Sequence, residues 1–318
     1  MTPLFRKVFL RYVDWRTSPQ VVARRRRRNE RKMAKRAANG NWLEKVHFFA
    51  THGYWPSFLS PTTYSEKLCA KKLYDRNPLL TQMADKHLGR QFVLNRLGSE
   101  AESLLVPQLA VYENPDEIDF DSLHGSYVMK ANHASKLNYF HFEGQPIDEE
   151  LLRAQLKLWL ARDFGVSRNE WAYLNIPRRI VVERMLSDDG RAPSDIKFYC
   201  FSGKVKLINI LDRSSQIETV SMYFDADMNK VDVRRGFKTA ETVEVPRNMP
   251  ELVTVAEKLS EGFDFLRVDL YSIDGHIYVG ELTNYPGAGR SKVRPKEMDA
   301  VMGLFWEERQ EFLPAERA

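Results

Sequence analysis

The stretch Phe265–Gly289, FLRVDLYSIDGHIYVGELTNYPGAG, carries the most specific pattern in this 318-residue chain. Two segments rich in β-branched, aromatic and aliphatic residues flank Asp274-Gly275, which predicts a β-hairpin. Three charged residues lie in its two strands: Arg267, Asp269 and Glu281. Two carboxylates and an arginine brought together suit a divalent cation and a phosphate. A solvated sheet edge with an Arg–Glu pair would show the same residues, so the facing of the side chains has to decide.

The length of the hairpin loop sets that facing, because successive side chains of a strand point to opposite faces. A two-residue turn at 274–275 would place Asp269 and Glu281 on opposite faces. A three-residue loop over 273–275 would place Arg267 opposite Glu281, with Asp269 diagonal to it on the same face. A Mg²⁺ site at this hairpin therefore requires the three-residue loop, and the two-residue turn would leave an Arg–Glu pair at a sheet edge with an incidental aspartate.

Composition bounds the class of protein. A chain of 318 residues with 43% hydrophobic and 12% aromatic residues can bury a real core, which excludes a disordered protein. Cys69 and Cys200 lie far apart in sequence, form no metal-binding spacing and fit a reducing cytoplasm. No apolar run approaches ~18 residues, so a membrane-spanning helix is not expected. The basic start lacks the apolar core of a signal peptide.

The positive charge is concentrated in residues 1–45. This segment holds 14 Lys or Arg and 3 Asp or Glu, a net charge of +11, which leaves −6 for the rest of a chain whose total is +5. Apolar residues recur at helical spacing over 1–13, Ser18-Pro19 interrupts the pattern, and an arginine run follows over 24–28. A basic amphipathic arm suits an anionic membrane surface. A solvated helical extension is the plain alternative, and the acidic body disfavours nucleic acid as the partner.

The middle of the chain alternates helix and strand patterns. We expect a packed linker over 42–64, a capped helix start at 61–67, and one helix over 79–97 in which Asp85 and Lys86 are surface charges. The remaining pattern predicts strands over 109–112, 127–130 and 180–183, a hairpin of 196–201 and 204–211, helices over 149–163 and 252–259, and a loop over 187–193.

Lys130 closes an apolar strand. Such a lysine either extends to solvent along the surface or points into a cleft, where it can meet a phosphate. The polar loop after it contains His133, which could bind substrate or serve only the structure. That loop has no glycine, so a backbone cradle for phosphate is not strongly encoded. Asp195 and Lys197 occupy alternating positions at the first strand of the second hairpin.

Several stretches, taken in order, resemble the TupA-like branch of the ATP-grasp superfamily, over roughly residues 60–294. They are SPTTYSEKLCAKKLYDRNPL, ADKHLGRQFV, YVMKANHAS, IVVERML, SDIKFYCFSGKVKLI and RVDLYSIDGHIYVGELTNYPGAG. The resemblance implies an α+β fold in which two α+β lobes hold a nucleotide cleft between them, preceded here by a basic helical arm. The expected division is an arm over 1–45, an N-terminal helical region over 46–125, a central nucleotide-lid lobe over 126–205, and a C-terminal lobe with the metal-binding hairpin over 206–318.

The resemblance also implies ATP and Mg²⁺ as cofactors and assigns residues to them. The catalytic residues would be Arg267 and Lys130. The ATP-binding residues would be Lys130, Ser135, Glu183, Asp195 and Lys197. The Mg²⁺ ligands would be Asp269 and Glu281, with Thr283 or Asn284 for a second ion. Two positions depart from the family pattern. Ala134-Ser135-Lys136-Leu137 replaces a glycine-rich loop, and Thr283 stands where an asparagine is common.

The activity that the resemblance implies is ATP-dependent ligation of a carboxylate to an amine through an acyl phosphate. The substrate would be a carboxylate-bearing glycan, such as one with uronic acids, or an amino acid, used in bacterial surface-polysaccharide synthesis. The location would be cytoplasmic, at the inner face of the membrane. Two alternatives stay open: a glycosyltransferase that uses Asp225-Ala226-Asp227 as its metal motif, and a non-catalytic protein that has kept the fold.

Overall fold

A computed structural model describes residues 2–186, 193–213 and 218–306. The helices are α1 (Pro3–Thr17), α2 (Pro19–Ala38), α3 (Trp42–His52), α4 (Tyr64–Tyr74), α5 (Pro78–Ala84), α6 (Leu88–Leu97), α7 (Glu149–Leu160), α8 (Met249–Ser260) and α9 (Lys296–Leu304). The strands are β1 (Gln108–Tyr112), β2 (Tyr127–Ala131), β3 (Asn138–His141), β4 (Ile180–Arg184), β5 (Asp195–Phe201), β6 (Lys204–Asp212), β7 (Val220–Phe224), β8 (Lys230–Val231), β9 (Lys238–Thr239), β10 (Phe265–Ile273) and β11 (His276–Thr283). Most of the expected loop over 187–193 lies outside the described residues.

The strands form two sheets. The smaller sheet has the order β1-β4-β2-β3 and is antiparallel throughout. The larger sheet has the order β11-β10-β5-β6-β7-β8, and β9 pairs with β7 in parallel. This arrangement confirms the expected α+β class with two sheet-based lobes.

Each sheet buries one apolar layer against helices. On the large sheet, alternate residues of β5 and β10, such as Phe198 and Val268, pack with α5, α6 and α8 in the largest core cluster. On the small sheet, Met129 and Val182 pack against α7. The opposite face of the large sheet is aromatic at one end, where Tyr64 of α4 lies among the aromatic side chains of β5 and β10, and polar at the other. That polar end is where the charged residues of the two strands meet.

The basic arm is helical, as expected, and it packs on the small-sheet lobe. Arg6 of α1 donates to Asp148 and Glu150 at the start of α7. Arg25 of α2 pairs with Asp163 just beyond α7. The break at Ser18-Pro19 separates α1 from α2, as the sequence predicts. No helix in the described part of the chain is both long and apolar enough to cross a membrane.

Two expected elements were wrong. The linker predicted over 42–64 contains α3, which begins after Asn41 in a left-handed conformation and ends at Gly53. The single helix predicted over 79–97 is two helices, α5 and α6, separated at 85–87. By contrast, the start of α4 is as predicted, because Thr63 and Glu66 form a reciprocal capping box.

The four-segment division of the chain stays a prediction. The sheet pairing shows that β1, from the expected helical region over 46–125, belongs to the small sheet. It also shows that β5, from the expected central lobe, belongs to the large sheet, and that the expected boundary at 205 falls inside β6.

Candidate functional site

The hairpin that decides the site has a two-residue turn and not the three-residue loop that a shared face for Asp269 and Glu281 had been taken to require. Ile273 pairs with His276, and Asp274 and Gly275 both take left-handed conformations, with φ of 51° and 80°. This is the combination that a tight turn matching the strand twist requires.

A β-bulge nevertheless brings the two carboxylates together. The register shifts between Asp269 and Leu270, which pairs with Val279, so Gly280 is the extra residue and Asp269 stands directly opposite Glu281. A Cβ on Gly280 would lie 2.7 Å from the ring of Tyr271, so the bulge is closely packed at a residue that lacks a side chain. Arg267 consequently faces Thr283. The three-residue loop would have placed it opposite Glu281.

On the large sheet, the charged residues form one continuous ion chain. Arg267 donates to both carboxylate oxygens of Asp269, at 2.7 and 2.6 Å, and to the Thr283 hydroxyl at 3.0 Å. Lys197 donates to Asp269 at 2.8 Å and also to Asp195. These contacts follow from the strand register, in which Asp269 is paired with Lys197.

Arg213, which the sequence analysis did not select, completes the ion chain by donating to Asp195 at 3.0 Å. Burial and then the nearby charge of Asp269 raise the pKa of Asp195. Burial alone would also raise the pKa of Asp269, but Arg267 and then Lys197 outweigh it and lower that pKa. Asp269 is therefore held as a carboxylate, with only 3% of its surface exposed.

A cavity of about 170 Å³ lies between the two sheets, next to this ion chain. The small sheet contributes Lys130 and Glu183, whose side chains pair at 2.5 Å. The hairpin contributes Tyr271, Gly280 and Glu281. Within the described part of the chain, no group donates to the Glu281 carboxylate, so it is available to a ligand. The cleft expected between two lobes is thus present.

The loop over 132–138 forms another wall of the cavity through Ser135, Lys136 and Asn138. Lys136 takes a left-handed conformation, with φ of 62°, which glycine adopts at no steric cost. The loop therefore keeps a glycine-type backbone turn at a position where this chain has a lysine. Ser135, the ATP-binding residue that the resemblance implies, lines the cavity, and its role stays a prediction.

The connection between α5 and α6 supplies residues that were missed. Asp85 and Lys86 were expected to be surface charges, but Asp85 is fully buried and both line the cavity, as does Arg90. Asp85 accepts from the His87 amide at 2.8 Å and from the Asn132 side chain at 2.9 Å. The Asp85 carboxylate also accepts from the Leu88 amide at 3.3 Å, and this local turn at the start of α6 competes with continuing α5, which explains the helix break.

Lys86 extends along the cavity wall. Its ammonium donates to the Ala134 carbonyl at 2.7 Å. Burial lowers its pKa, and the charge of Glu281 opposes that shift. A sequence signal was available, because Asp85-Lys86 directly follows an apolar helix and an aspartate at that point is a strong helix-start residue.

The predicted site residues thus fall into two groups that meet at the Asp269–Glu281 pair. Those at the cavity are Lys130, Ser135, Glu183 and Glu281; those in the ion chain are Asp195, Lys197, Arg267, Asp269 and Thr283. Asn284 is apart from both. It is fully buried and donates to the Leu80 carbonyl of α5 at 2.7 Å.

The donor set can be tested against Mg²⁺. Among the described residues, no group of three or more His, Cys, Asp or Glu is placed to hold a metal ion. Asp269 and Glu281 are two opposed carboxylates, and Mg²⁺ commonly takes one or two carboxylates with waters and phosphates completing its shell. Glu281 fits this role as it stands. Asp269 fits once its hydrogen bond from Lys197 or Arg267 is replaced by a bond to the ion.

Two other residues raised by the sequence analysis lie elsewhere. His133 is 1% exposed and its Nε2 contacts the Arg162 carbonyl at 3.2 Å, which gives it a structural place. Asp225 accepts from the backbone amides of Asp227 and Asn229 in the turn between β7 and β8, and it does not line the cavity. The Asp-Ala-Asp sequence therefore has a local structural explanation.

Comparisons with known proteins place the chain in a family. No curated protein matches it. Solved structures that it resembles include a D-alanine–D-alanine ligase from Bacillus anthracis, with 19% identity over 72% of this chain and 67% of that one and a TM-score of 0.43. They also include the ATP-grasp ligase PsnB complexed with a variant of its minimal precursor, Mg and ADP, with 14% identity over 72% of this chain and 58% of that one and a TM-score of 0.40.

A third is the ADP complex of N5-carboxyaminoimidazole ribonucleotide synthetase, with 14% identity over 65% of this chain and 46% of that one and a TM-score of 0.41. The chain thus spans about half to two thirds of the length of these proteins. The family comparison is more extensive, because the model described as TupA-like ATPgrasp matches residues 66–306. This match includes the cavity, the ion chain and the bulged hairpin, and the chain therefore belongs to the TupA-like ATP-grasp family.

Proposed function

We propose that the protein is an ATP-dependent ligase that joins a carboxylate to an amine. The observation that carries the proposal is the cavity between the two sheets, where two lysine side chains, Lys86 and Lys130, lie on the walls with the free carboxylate of Glu281. Ammonium groups and an available carboxylate on one cavity are what a nucleotide triphosphate with its Mg²⁺ requires. Membership of the ATP-grasp family supports the same assignment.

The side chains divide the work of the proposed reaction. Lys86 and Lys130 would hold the ATP phosphates, and Glu281 with Asp269 would hold Mg²⁺, which neutralises charge on the phosphoryl group during transfer. Arg267, fixed by Asp269, would face the phosphorylated carboxylate. A substrate carboxylate oxygen attacks the γ-phosphorus and releases ADP. The amine nitrogen then attacks the acyl carbon, and phosphate leaves as the nitrogen gives up a proton to solvent. No nucleophile from the protein is needed.

The finer proposal is that the carboxylate belongs to a uronic acid or a similar acid of a bacterial surface polysaccharide. The resemblance stated above motivates it, and the basic arm supports a location at the inner face of the membrane, where such glycans are assembled on lipids.

An activity assay tests the ligase proposal. The full chain is incubated with Mg-ATP, a panel of uronic acids and a panel of amines, and ADP and phosphate release are measured. We expect release that depends on both substrates, and we expect Lys86→Met and Lys130→Met to abolish it. Lys258→Met, at an exposed position of α8, is the matched control and should retain it. ADP release that no acid–amine pair stimulates would count against the proposal, as would full activity in both cavity variants.

The arm's surface supports a peripheral membrane partner. The side of α1 that faces the body holds Arg6, Phe9, Leu10 and Val13, and Val13 is 1% exposed. At about 100° per residue, a second apolar arc of roughly 100° points away from the body. Its members, each exposed by 48% or more, are Leu4, Phe5, Val8, Tyr12 and Trp15. An exposed apolar arc of this size on a docked helix suits the interface of a bilayer.

Helix α2 adds the charge that an anionic bilayer attracts. Seven of its cations are exposed and have no ion-pair partner in the described part of the chain: Arg24, Arg26, Arg27, Arg28, Arg31, Lys32 and Lys35. Each cation near an anionic surface contributes about 1 kcal/mol, so several together can hold the protein there. We propose that the arm binds anionic lipid with α1 lying flat in the interface.

Vesicle flotation tests this placement. We expect the full chain to float with vesicles that contain anionic lipid and to stay behind with phosphatidylcholine alone. Trp15→Ser should weaken binding, whereas Leu304→Ser should not, since Leu304 of α9 is exposed to 71% but lies outside the arm. Equal binding to both kinds of vesicle, or equal losses in the two variants, would refute the proposal.

A further inference from the structure

Arg235 is a buried guanidinium that no carboxylate of the described residues contacts directly. It is 9% exposed. Its Nη1 donates to the Tyr199 hydroxyl at 3.2 Å and its Nη2 to the Pro286 carbonyl at 2.7 Å. Its Nε is sealed from water and has no hydrogen-bond partner among the described residues. Buried charges in proteins are normally paired, so this one is a candidate for a ligand that the chain does not itself provide.

Arg267 has the carboxylate partner that Arg235 lacks within the described part of the chain. Arg267 is also buried, but both oxygens of Asp269 neutralise it. The two arginines share one neighbour, because Tyr199 stands opposite Arg267 in the register of β5 and β10 and accepts from Arg235. Burial would raise the pKa of Tyr199, but Arg235 and then Arg267 outweigh it and lower that pKa, as expected beside excess positive charge. Arg235 is thus one side chain away from the ion chain.

A second concave region of about 580 Å³ reaches this residue from the outside. Its basic lining residues are Arg234, Arg235, Lys238 and Arg294. Arg234 and Arg294 are held side by side by two backbone hydrogen bonds, of 2.7 and 3.1 Å. Lys238 pairs with Glu218 and Arg234 with Asp232, but the Arg294 side chain has no ion-pair partner in the described part of the chain. The approach to Arg235 is therefore positively charged.

We propose that Arg235 binds a second substrate carboxylate, one that is not phosphorylated. The inference rests on the proposed ligase function. It adds that the acid substrate and the amine substrate together carry two carboxylate groups, of which only one reacts. The reacting carboxylate belongs near Arg267 and the Asp269–Glu281 pair, whereas Arg235 lies beyond Tyr199. A guanidinium has five N–H donors, of which two are in use and the Nε–H is sealed, so one N–H on each Nη remains for a carboxylate. An amino acid as the amine substrate would meet this requirement.

Binding measurements on the full chain in the presence of Mg-ADP test the inference. The probes are glycine and glucuronate, each compared with its neutral amide, glycinamide and glucuronamide. We expect at least one acid to bind and its amide not to bind. Truncating one partner of a buried charge pair is costly, so Arg235→Met should weaken that acid's binding by about 30-fold or more. Arg235→Lys keeps the charge but loses the planar guanidinium, so its affinity for the acid should lie between those of the wild type and Arg235→Met. The exposed Arg247→Met should bind the acid as tightly as the wild type does.

Mg-ADP binding separates the possible failures. A variant that still binds Mg-ADP has a folded cleft, so loss of acid binding in Arg235→Met is then specific. If the wild type binds Mg-ADP but neither acid, or if Arg235→Met binds the acid as tightly as the wild type does, the subsite is refuted and the ligase proposal stands. If the wild type does not bind Mg-ADP, the ligase proposal itself fails.

Discussion

The two walls of the cleft are built differently. On the large sheet, Lys197, Asp269 and Arg267 form an ion chain that the register of neighbouring strands sets in place, and Asp269 is 3% exposed. On the small sheet, Lys130 makes one pair with Glu183, and 27% of its side chain is accessible. The first wall is arranged before any ligand binds. The second holds a lysine that can leave its partner for a phosphate.

This difference implies that the same kind of substitution has different consequences on the two walls. Removing a charge from the ion chain leaves its partners buried and unbalanced, which affects folding. Removing a charge from the cavity wall takes away a ligand contact and leaves the fold largely intact. The following predictions test that division, starting with the largest effect.

Asp269→Ala should destabilise the protein strongly. It leaves Arg267 and Lys197 without their shared carboxylate, and breaking a buried ion pair in this way typically costs about 3–5 kcal/mol. Urea unfolding measures the loss. Glu281→Gln is the matched control on the opposite strand, where no partner is lost, so its stability should change by less than about 1 kcal/mol. Equal costs for the two variants would show that the walls do not differ as described.

Lys130→Met should impair nucleotide binding with little change in stability. Its pair with Glu183 is partly solvated, and pairs of this kind contribute about 0–1 kcal/mol. Loss of a charged contact to phosphate should weaken Mg-ATP binding by about 30-fold, or about 2 kcal/mol. Calorimetric titration and urea unfolding are the two measurements. A large loss of stability with unchanged nucleotide affinity would reverse the assignment.

Gly280→Ala should disturb the point where the two walls meet. The added Cβ would lie 2.7 Å from the Tyr271 ring, so something has to shift, and overpacking of this kind costs about 1–3 kcal/mol. Thermal or urea unfolding gives the cost. The double variant with Tyr271→Ala makes room for the methyl group, so the two costs should be less than additive. Strict additivity would mean that the ring is not the obstacle.

His133, behind the small-sheet wall, should make stability depend on pH below neutrality. Burial, followed by the charge of Arg178, lowers its pKa from the ordinary 6.5 to about 4. Between these values the unfolded chain binds the proton more readily than the folded one, so stability falls as pH falls from 6.5 towards 4. The contribution over the first pH unit is about 1 kcal/mol.

The comparison with His133→Asn isolates this term from the other histidines. The free energy of unfolding of both proteins is measured at pH 6.5 and 5.5, and the wild type should lose about 1 kcal/mol more than the variant. The same loss in both would mean that His133 does not titrate differently on folding.

The sequence predicted the elements that depend on local pattern. The hairpin strands, the capped start of α4 and the break at Ser18-Pro19 follow from propensity and capping, and the structure has them. The spacing of Asp269 and Glu281 about the turn also indicated that the two carboxylates share a face only if the hairpin contains one extra, unpaired residue. Its location was not predictable, because Asp274-Gly275 is an equally good site for an extra residue, and the close approach of the Tyr271 ring to Gly280 arises only after folding.

Other features depended on contacts between distant segments. Asp85 interrupts a regular helical pattern because it also binds Asn132, which is 47 residues away in sequence. Arg235 gives no signal in sequence, since its distinction is that no carboxylate in the described part of the chain contacts it after folding. Local preference cannot report either kind of contact.

The bulge at Gly280 also determines where the hairpin can tolerate a change in length. Because Gly280 is the unpaired residue, deleting it would leave every remaining pair of the hairpin as it is, including Asp269 opposite Glu281. Removing a residue from the two-residue turn would instead shift the register of all the pairs between β10 and β11. A one-residue deletion in this hairpin is thus expected to be tolerated at the bulge, close to the carboxylates, and not in the two-residue turn.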